Sequence, residues 1–122
     1  MCLAADPEPL DTADPRRSTK SAARRALDER RARHPQADDV IVLGPGGEVV
    51  ETVVANLLVR LDGRWCTPPL ASGCLPGIGR GVLVEAGRVE ERRLEVDDLR
   101  RAEALAVVSS LRGVRPAVLV ES

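Results

Sequence analysis

Residues 65–80, WCTPPLASGCLPGIGR, contain two proline-bearing turn signals followed by a helical pattern that opens at residues 78–80. A helix that begins directly after such a turn leaves its first N–H groups without partners, next to the positive end of the helix dipole. The stretch therefore predicts an anion site suited to phosphate. Gly77 and Gly79 have no Cβ atom, so a phosphate could approach the main chain closely. The alternative is an ordinary loop entering an ordinary helix, because the stretch matches neither a P-loop nor a dinucleotide fingerprint.

The composition indicates one globular domain with an aliphatic core. The chain has 122 residues, 43% of them hydrophobic, and Trp65 is its only aromatic residue. A formal net charge of −1 and the scarcity of aromatic residues argue against nucleic-acid binding. The apolar runs are too short to span a membrane and no signal-peptide pattern is found, so a cytoplasmic protein is expected. Cys2, Cys66 and Cys74 have neither CxxC nor metal-finger spacing, which predicts free thiols and no metal site.

Two charged residues suggest chemistry. Lys20 is the only lysine among 18 basic residues, and arginine cannot replace lysine as a nucleophilic amine. Glu51 interrupts an apolar strand pattern between Val49-Val50 and Val53-Val54, which indicates a carboxylate held to pair with a cation. The alternatives are a compositional accident for Lys20 and a water-exposed strand edge for Glu51.

Apolar periodicity and turn signals predict an α/β (α+β) domain with a largely antiparallel sheet. Residues 1–17, rich in Pro, Asp and Ala, are expected to form an extended lead-in to a domain spanning residues 18–122. His34, before a proline, is expected to end the first helix and to be solvated. The predicted helices are 20–34, 79–86 and 97–105, the last capped by Asp97, and the predicted strands are 38–43, 48–55 continued by 56–61, 64–67, 89–94, 104–108 and 115–121.

Four motifs in this order resemble the class IV pyridoxal-phosphate (PLP) enzymes: Lys20, GEVVETVVANLLV at 47–59, CTPPLASGCLPGIGR at 66–80 and VSSLRGVRPA at 108–117. That family includes branched-chain aminotransferase, D-amino-acid aminotransferase and aminodeoxychorismate lyase. The resemblance covers about residues 20–118 and is to the family's larger, C-terminal domain. It implies a mostly antiparallel sheet curled into a pseudo-barrel, with flanking helices.

The resemblance also implies a role for each matching residue. Lys20 matches the lysine that bonds covalently to pyridoxal 5′-phosphate and moves the substrate Cα proton, and Glu51 matches the carboxylate that pairs with the pyridinium nitrogen. Ile78 and Gly79 match the residues whose backbone N–H groups hold the phosphate, although Gly79 replaces the usual threonine. The other matches are Arg24 and Asn56 near the cofactor, Ser110 as a phosphate-binding hydroxyl, and Leu111 and Arg112 in the turn that binds the substrate carboxylate.

The resemblance implies a PLP-dependent lyase or transaminase that acts on a small amino-acid-like molecule as a homodimer. Arg24, four residues after Lys20, and the turn SLRGVRP favour aminodeoxychorismate lyase, which eliminates pyruvate to leave 4-aminobenzoate for folate synthesis. The alternatives are a branched-chain or D-amino-acid aminotransferase and a non-catalytic anion-binding or oligomerisation domain. Family members carry an N-terminal small domain that supplies a phosphate-binding arginine and part of the substrate pocket. No counterpart is expected before Lys20, which predicts weak, reversible cofactor binding by this chain alone.

Overall fold

The computed structural model describes residues 2–6, 29, 32–44, 46–52, 55–72, 74, 76–109 and 113–120. Over these residues the chain forms eight strands and two α-helices, with a 3₁₀ turn at Leu70–Ser72. The helices are α1 (Ile78–Glu85) and α2 (Val96–Arg101). The strands are β1 (Cys2–Ala5), β2 (Asp39–Leu43), β3 (Val49–Thr52), β4 (Asn56–Leu61), β5 (Arg64–Thr67), β6 (Glu90–Glu91), β7 (Ala104–Ser109) and β8 (Gly113–Leu119).

All eight described strands form one sheet, in the order β3-β2-β1-β8-β7-β4-β5-β6. Four pairings are antiparallel, whereas β1 is parallel to both of its neighbours and β5 is parallel to β6. The β4–β5 hairpin turns at Asp62 and Gly63, whose φ angles of 51° and 76° give the left-handed backbone that a two-residue hairpin needs. The predicted sheet with flanking helices is confirmed, with a larger parallel share than expected.

The strand β1 lies in the middle of the sheet, between β2 and β8. Its Leu3 and Ala4 are almost completely buried, and Leu3 is in register with Asp39 of β2 and Leu119 of β8. The sequence analysis placed these residues in an extended lead-in. Their backbone is extended, but they belong to the sheet. A four-residue strand buried on both faces has no polar–apolar alternation by which the sequence could reveal it.

The strands β3 and β4 are separate, although the sequence analysis predicted β4 as a continuation of β3. Between them the Thr52 N–H donates to the Ala55 carbonyl oxygen at 3.0 Å, and the Ala55 N–H donates to Thr52 Oγ1 at 2.9 Å. After this corner β4 pairs with β7, while β3 forms an edge of the sheet. The two strands remain in contact although four others separate them in the sheet order, so the sheet is curled.

Each face of the sheet packs against its own core, because successive residues of a strand point to opposite faces. The larger core joins the sheet to α2 and includes Leu3, Ile41, Leu57, Leu94, Leu99 and Val107. The smaller core on the other face consists of Leu58, Val89, Ala106 and Val108, with Trp65 and Leu83 packed against it. Since Leu83 belongs to α1, this smaller core attaches α1 to β4 and β7.

The helix α1 agrees with the prediction to within one residue, but the predicted cap of α2 is wrong. α2 begins after Glu95, whose side chain accepts a hydrogen bond from the Asp98 N–H. Asp98 Oδ2 in turn accepts a hydrogen bond from the Glu95 N–H at 2.9 Å. Glu95 and Asp98 therefore form a capping box, and Asp97 lies inside the helix. Two strands also differ from their predicted bounds. β6 is only Glu90–Glu91, where residues 89–94 were predicted, and β8 begins at Gly113, where residues 115–121 were predicted.

His34 is not solvated, contrary to the prediction. Its side chain is only 9% exposed, and Nε2 lies 3.7 Å from Oδ2 of the fully buried Asp6. Arg33 donates to the same carboxylate oxygen at 2.7 Å. Asp6 directly follows β1, so the burial of His34 depends on a partner that is remote in sequence.

Candidate functional site

Four of the predicted site residues lie in the described part of the chain. These are Glu51, Asn56, Ile78 and Gly79. The other predicted site residues lie outside the described residues: Lys20, Arg24, Ser110, Leu111 and Arg112.

Among the described residues, no side chain caps the N-terminus of α1. Gly77 precedes the helix with an extended backbone (φ −61°, ψ 145°), and the first turn contains no acidic residue. The first N–H groups of an α-helix have no acceptor within the helix, which applies to those of Ile78 and Gly79. Ile78 is 75% exposed, so the side chain of the first helical residue faces solvent. The geometry suits an anion.

Gly79 packs α1 against the end of β7. A Cβ atom at Gly79 would lie 2.8 Å from Val108 Cγ2 and 3.8 Å from the Ser109 carbonyl oxygen. Val108 therefore takes the space that any larger residue at position 79 would need. Since β7 ends at Ser109, the strand end that precedes the predicted phosphate ligand Ser110 lies beside the start of α1.

Asn56 lies on the other side of the same helix start. It is the first residue of β4, is 6% exposed, and is in register with Val108 of β7. A Cβ atom at Gly77 would collide with Asn56 Oδ1, so the Asn56 side chain lies against the residue that begins α1. The described ends of β4 and β7 thus both contact the start of this helix.

Glu51 lies in β3 and is partly buried. Its carboxylate is near enough to the loop before α1 to act on Cys74, a buried thiol in that loop. Burial is the main cause of the raised pKa of Cys74, the charge of Arg80 opposes this rise, and the charge of Glu51 adds to it. Glu51 is therefore within electrostatic range of the segment that leads into α1.

Arg80 is a residue of this region that the sequence analysis missed. It is the third residue of α1 and 4% exposed, and its Nη2 donates to the Pro68 carbonyl oxygen at 3.0 Å and to Glu91 Oε2 at 2.7 Å. The hydrogen bond from Arg80 holds the pKa of Glu91 below its ordinary value. A positive charge in the first turn of a helix is unfavourable, because it opposes the helix dipole. An arginine at this position of the sequence could therefore have indicated that Arg80 has partners outside the helix.

A family model described as amino-transferase class IV matches residues 3–120. The chain belongs to this family. Members of the class IV aminotransferase family are PLP-dependent aminotransferases and lyases. The match begins in β1 and ends directly after β8, so it covers all of the described sheet.

Three class IV aminotransferase relatives illustrate the similarity. A Schizosaccharomyces pombe protein, provisionally named an aminodeoxychorismate lyase, is 32% identical over 98 residues, which are 78% of this chain and 42% of the relative. A Thermotoga maritima protein, provisionally named a branched-chain-amino-acid aminotransferase, is 35% identical over 83 residues, 64% of this chain and 30% of the relative. The crystal structure of a Mesorhizobium loti protein, provisionally named an amino-acid aminotransferase, superposes with a TM-score of 0.85 and 34% identity, over 98% of this chain and 59% of that chain.

This chain therefore spans less than two thirds of the length of each of these relatives. The high TM-score confirms the predicted fold of the family's C-terminal domain. Among the described residues, no helix is both long and apolar enough to cross a membrane.

Proposed function

We propose that this chain is the cofactor-binding domain of a PLP-dependent class IV enzyme of the aminodeoxychorismate lyase type. The contact between Gly79 and Val108 carries the proposal, because it sets the start of α1 beside the end of β7. Backbone N–H groups at a helix N-terminus bind phosphate without help from a side chain. The residues present fit the phosphate group, since the first turn of α1 has no acidic residue and no side-chain cap.

Each proposed site residue has one task. Lys20 would hold the cofactor through its side-chain amine, and the same amine would act as the base that moves the Cα proton of the substrate. The bound cofactor supplies an electron sink for the charge left at Cα. Glu51 holds a proton on the pyridinium nitrogen by its negative charge. The N–H groups of Ile78 and Gly79 hold the phosphate, together with the Ser110 hydroxyl. Arg24 and Asn56 support the cofactor site, and the turn of Leu111 and Arg112 binds the substrate carboxylate.

The first experiment tests Lys20. The chain is incubated with PLP, reduced with borohydride and digested, and the pyridoxyl group is located by mass spectrometry. We expect the adduct on Lys20, and Lys20→Arg should abolish it while the folded state is kept, because guanidinium does not react with aldehydes in this way. A wild-type adduct found only on the α-amino group would contradict the proposal.

A second experiment isolates the backbone N–H of Gly79. Gly79→Pro removes this donor and should weaken PLP binding by about 1–3 kcal/mol. Proline also introduces a Cβ atom next to Val108, so Gly79→Ala is the matched control that adds the Cβ but keeps the N–H. Ser110→Ala should cost about 0.5–1.5 kcal/mol. Equal PLP affinity of Gly79→Pro and Gly79→Ala, measured by absorbance titration, would place the phosphate elsewhere.

A transaminase is the second candidate, supported by the relative from Thermotoga maritima that is 35% identical to this chain. Product analysis separates the two activities. A lyase releases pyruvate and 4-aminobenzoate from aminodeoxychorismate, whereas a transaminase converts an amino acid and a 2-oxo acid into a second such pair. Arg24 and the SLRGVRP turn support the lyase.

Family enzymes act as oligomers and span more sequence than this chain, so we further propose that a homodimer and an additional domain complete the substrate pocket.

A further inference from the structure

We infer that the ion pair of Arg80 and Glu91 positions the N-terminus of α1 for phosphate binding. Arg80 is thus a positioning residue, which acts through the N–H groups of Ile78 and Gly79. The inference rests on the proposed function, because it concerns the same phosphate site.

The Arg80 guanidinium connects three parts of the fold through one nitrogen. Arg80 belongs to α1, Pro68 to the turn after β5, and Glu91 to β6. Nη2 donates to the Pro68 carbonyl oxygen at 3.0 Å and to Glu91 Oε2 at 2.7 Å. Arg80 directly follows Gly79. A shift of the first turn of α1 relative to Pro68 and Glu91 would therefore stretch these two hydrogen bonds.

The same Pro68 carbonyl is a fixed point in the loop before α1. The next residue is also a proline, so the backbone of this turn is stiff and poor in donors. The Cys74 thiol lies 3.7 Å from this oxygen. Arg80 therefore joins the beginning of the helix to the start of the loop that precedes it, and Cys74 contacts the same carbonyl oxygen.

The pair is poorly suited to stabilising the helix or the core. A cation in the first turn opposes the helix dipole. Arg80 is nearly fully buried, and its Nε has no hydrogen-bond partner among the described residues. Replacing buried ion pairs with apolar residues of similar volume is often neutral or stabilising. What an apolar side chain could not provide is the pair of directed hydrogen bonds that fixes where α1 begins.

A neighbouring ion pair provides a matched control. Arg64 of β5 and Glu90 of β6 lie 2.9 Å apart, but their side chains are 72% and 56% exposed. This pair has the same charges on the same edge of the sheet and makes no described contact with α1. Its removal should leave phosphate binding unchanged.

The test compares affinities for PLP and for pyridoxal, which lacks the phosphate. Dissociation constants for both are measured by absorbance titration for wild type, Arg80→Met, Glu91→Gln, Arg64→Met and Glu90→Gln, with unfolding curves for each variant. A structural defect alone would weaken both ligands equally. We expect Arg80→Met to lower the preference for PLP by about tenfold, roughly the loss of one charge-assisted hydrogen bond to the phosphate.

The Glu91→Gln variant separates positioning from simple charge. If Arg80 positions the helix, losing the Glu91 carboxylate loosens Arg80 and lowers the preference for PLP. If Arg80 acted only by its positive charge, neutralising Glu91 would raise that preference, and the positioning role would be overturned. Glu91 is 42% exposed, so Glu91→Gln decides the question even if Arg80→Met does not fold.

The outcomes distinguish this inference from the proposed function. A wild type that binds PLP no better than pyridoxal would refute the phosphate site, and the positioning role with it. A wild type that prefers PLP, with an equal preference in Arg80→Met and Glu91→Gln, would refute the positioning role alone. If the Arg64→Met and Glu90→Gln controls lost the preference for PLP to the same extent, the positioning role would also be refuted.

Discussion

Gly79 serves two purposes. Its lack of a side chain lets α1 pack against Val108, and its backbone N–H is proposed to bind the phosphate. We expect Gly79→Ala to lower the free energy of unfolding by about 1–3 kcal/mol, because its Cβ would lie 2.8 Å from Val108 Cγ2. Adding Val108→Ala should restore part of this loss of packing space. Gly81→Ala in the same helix is the control. A Cβ there meets no atom of the described residues within 4 Å, so this variant should gain about 0.5–1 kcal/mol. Urea unfolding of all four proteins tests these values, and equal effects of the two alanines would contradict the packing argument.

Glu51 is the residue whose proposed role is purely electrostatic. Glu51→Gln keeps nearly the same shape, so we expect little change in thermal unfolding. Proton exchange at Cα of a bound amino acid should slow by about 10²–10³, the typical effect of losing one preorganised charge. Deuterium incorporation followed by mass spectrometry measures the rate. Glu48→Gln changes another carboxylate of the β2–β3 hairpin and should exchange at the wild-type rate. Equally fast exchange in Glu51→Gln would remove Glu51 from the site.

The capping box of α2 gives a prediction about a whole element. Glu95→Ala should lower the free energy of unfolding by about 0.5–2 kcal/mol, because the Asp98 N–H loses its side-chain acceptor and keeps only the Glu95 carbonyl oxygen. Asp97→Ala removes an exposed carboxylate that does not cap the helix and should change stability by less than about 0.5 kcal/mol. Urea unfolding of both variants measures these changes. A larger loss of stability in Asp97→Ala than in Glu95→Ala would support Asp97 as the cap.

The contact between α1 and β6 should give a pH-dependent stability. The hydrogen bond from Arg80 lowers the pKa of Glu91 from 4.5. A carboxylate with a lowered folded-state pKa contributes stability above its unfolded-state pKa and loses it as the pH falls through the folded-state value. The stability difference between wild type and Glu91→Gln should therefore be largest above pH 4.5 and shrink below it. Thermal unfolding across this range tests the sign, and a difference that grows in acid would contradict it.

The sequence predicts elements whose signals are local and fails where the partner is distant. The β4–β5 turn and α1 were predictable, because a glycine or proline marks each boundary. The strand β1 and the burial of His34 depend on residues far along the chain, whereas the corner between β3 and β4 is local but is not marked by a glycine or a proline. At the candidate site, the start of α1 after Gly77 was predictable, and its role as an anion site stays a prediction. The contact of α1 with Val108 was not predictable, because only the completed sheet brings β7 next to the helix.

The whole molecule depends on β1, which joins the two parts of the sheet. Leu3 is fully buried in the larger core, so Leu3→Ala should lower the free energy of unfolding by about 2–5 kcal/mol. Val118 of β8 is 57% exposed and serves as control, with an expected change of less than about 0.5 kcal/mol for Val118→Ala. Similar urea midpoints for the two variants would show that β1 does not hold the sheet together.

The position of β1 also has a consequence for the order in which the chain can fold. Its Leu3 pairs with Leu119 of β8, so this contact closes a loop of nearly the entire described chain. Contacts between distant residues slow folding, because the entropy of loop closure is lost before the contact forms. During synthesis, β1 emerges long before β8, and β2 is until then its only partner among the described strands. Its other edge then remains unpaired, and unpaired strand edges promote association between chains. The same strand that unites the finished sheet thus leaves the growing chain open to aggregation until β8 has been made.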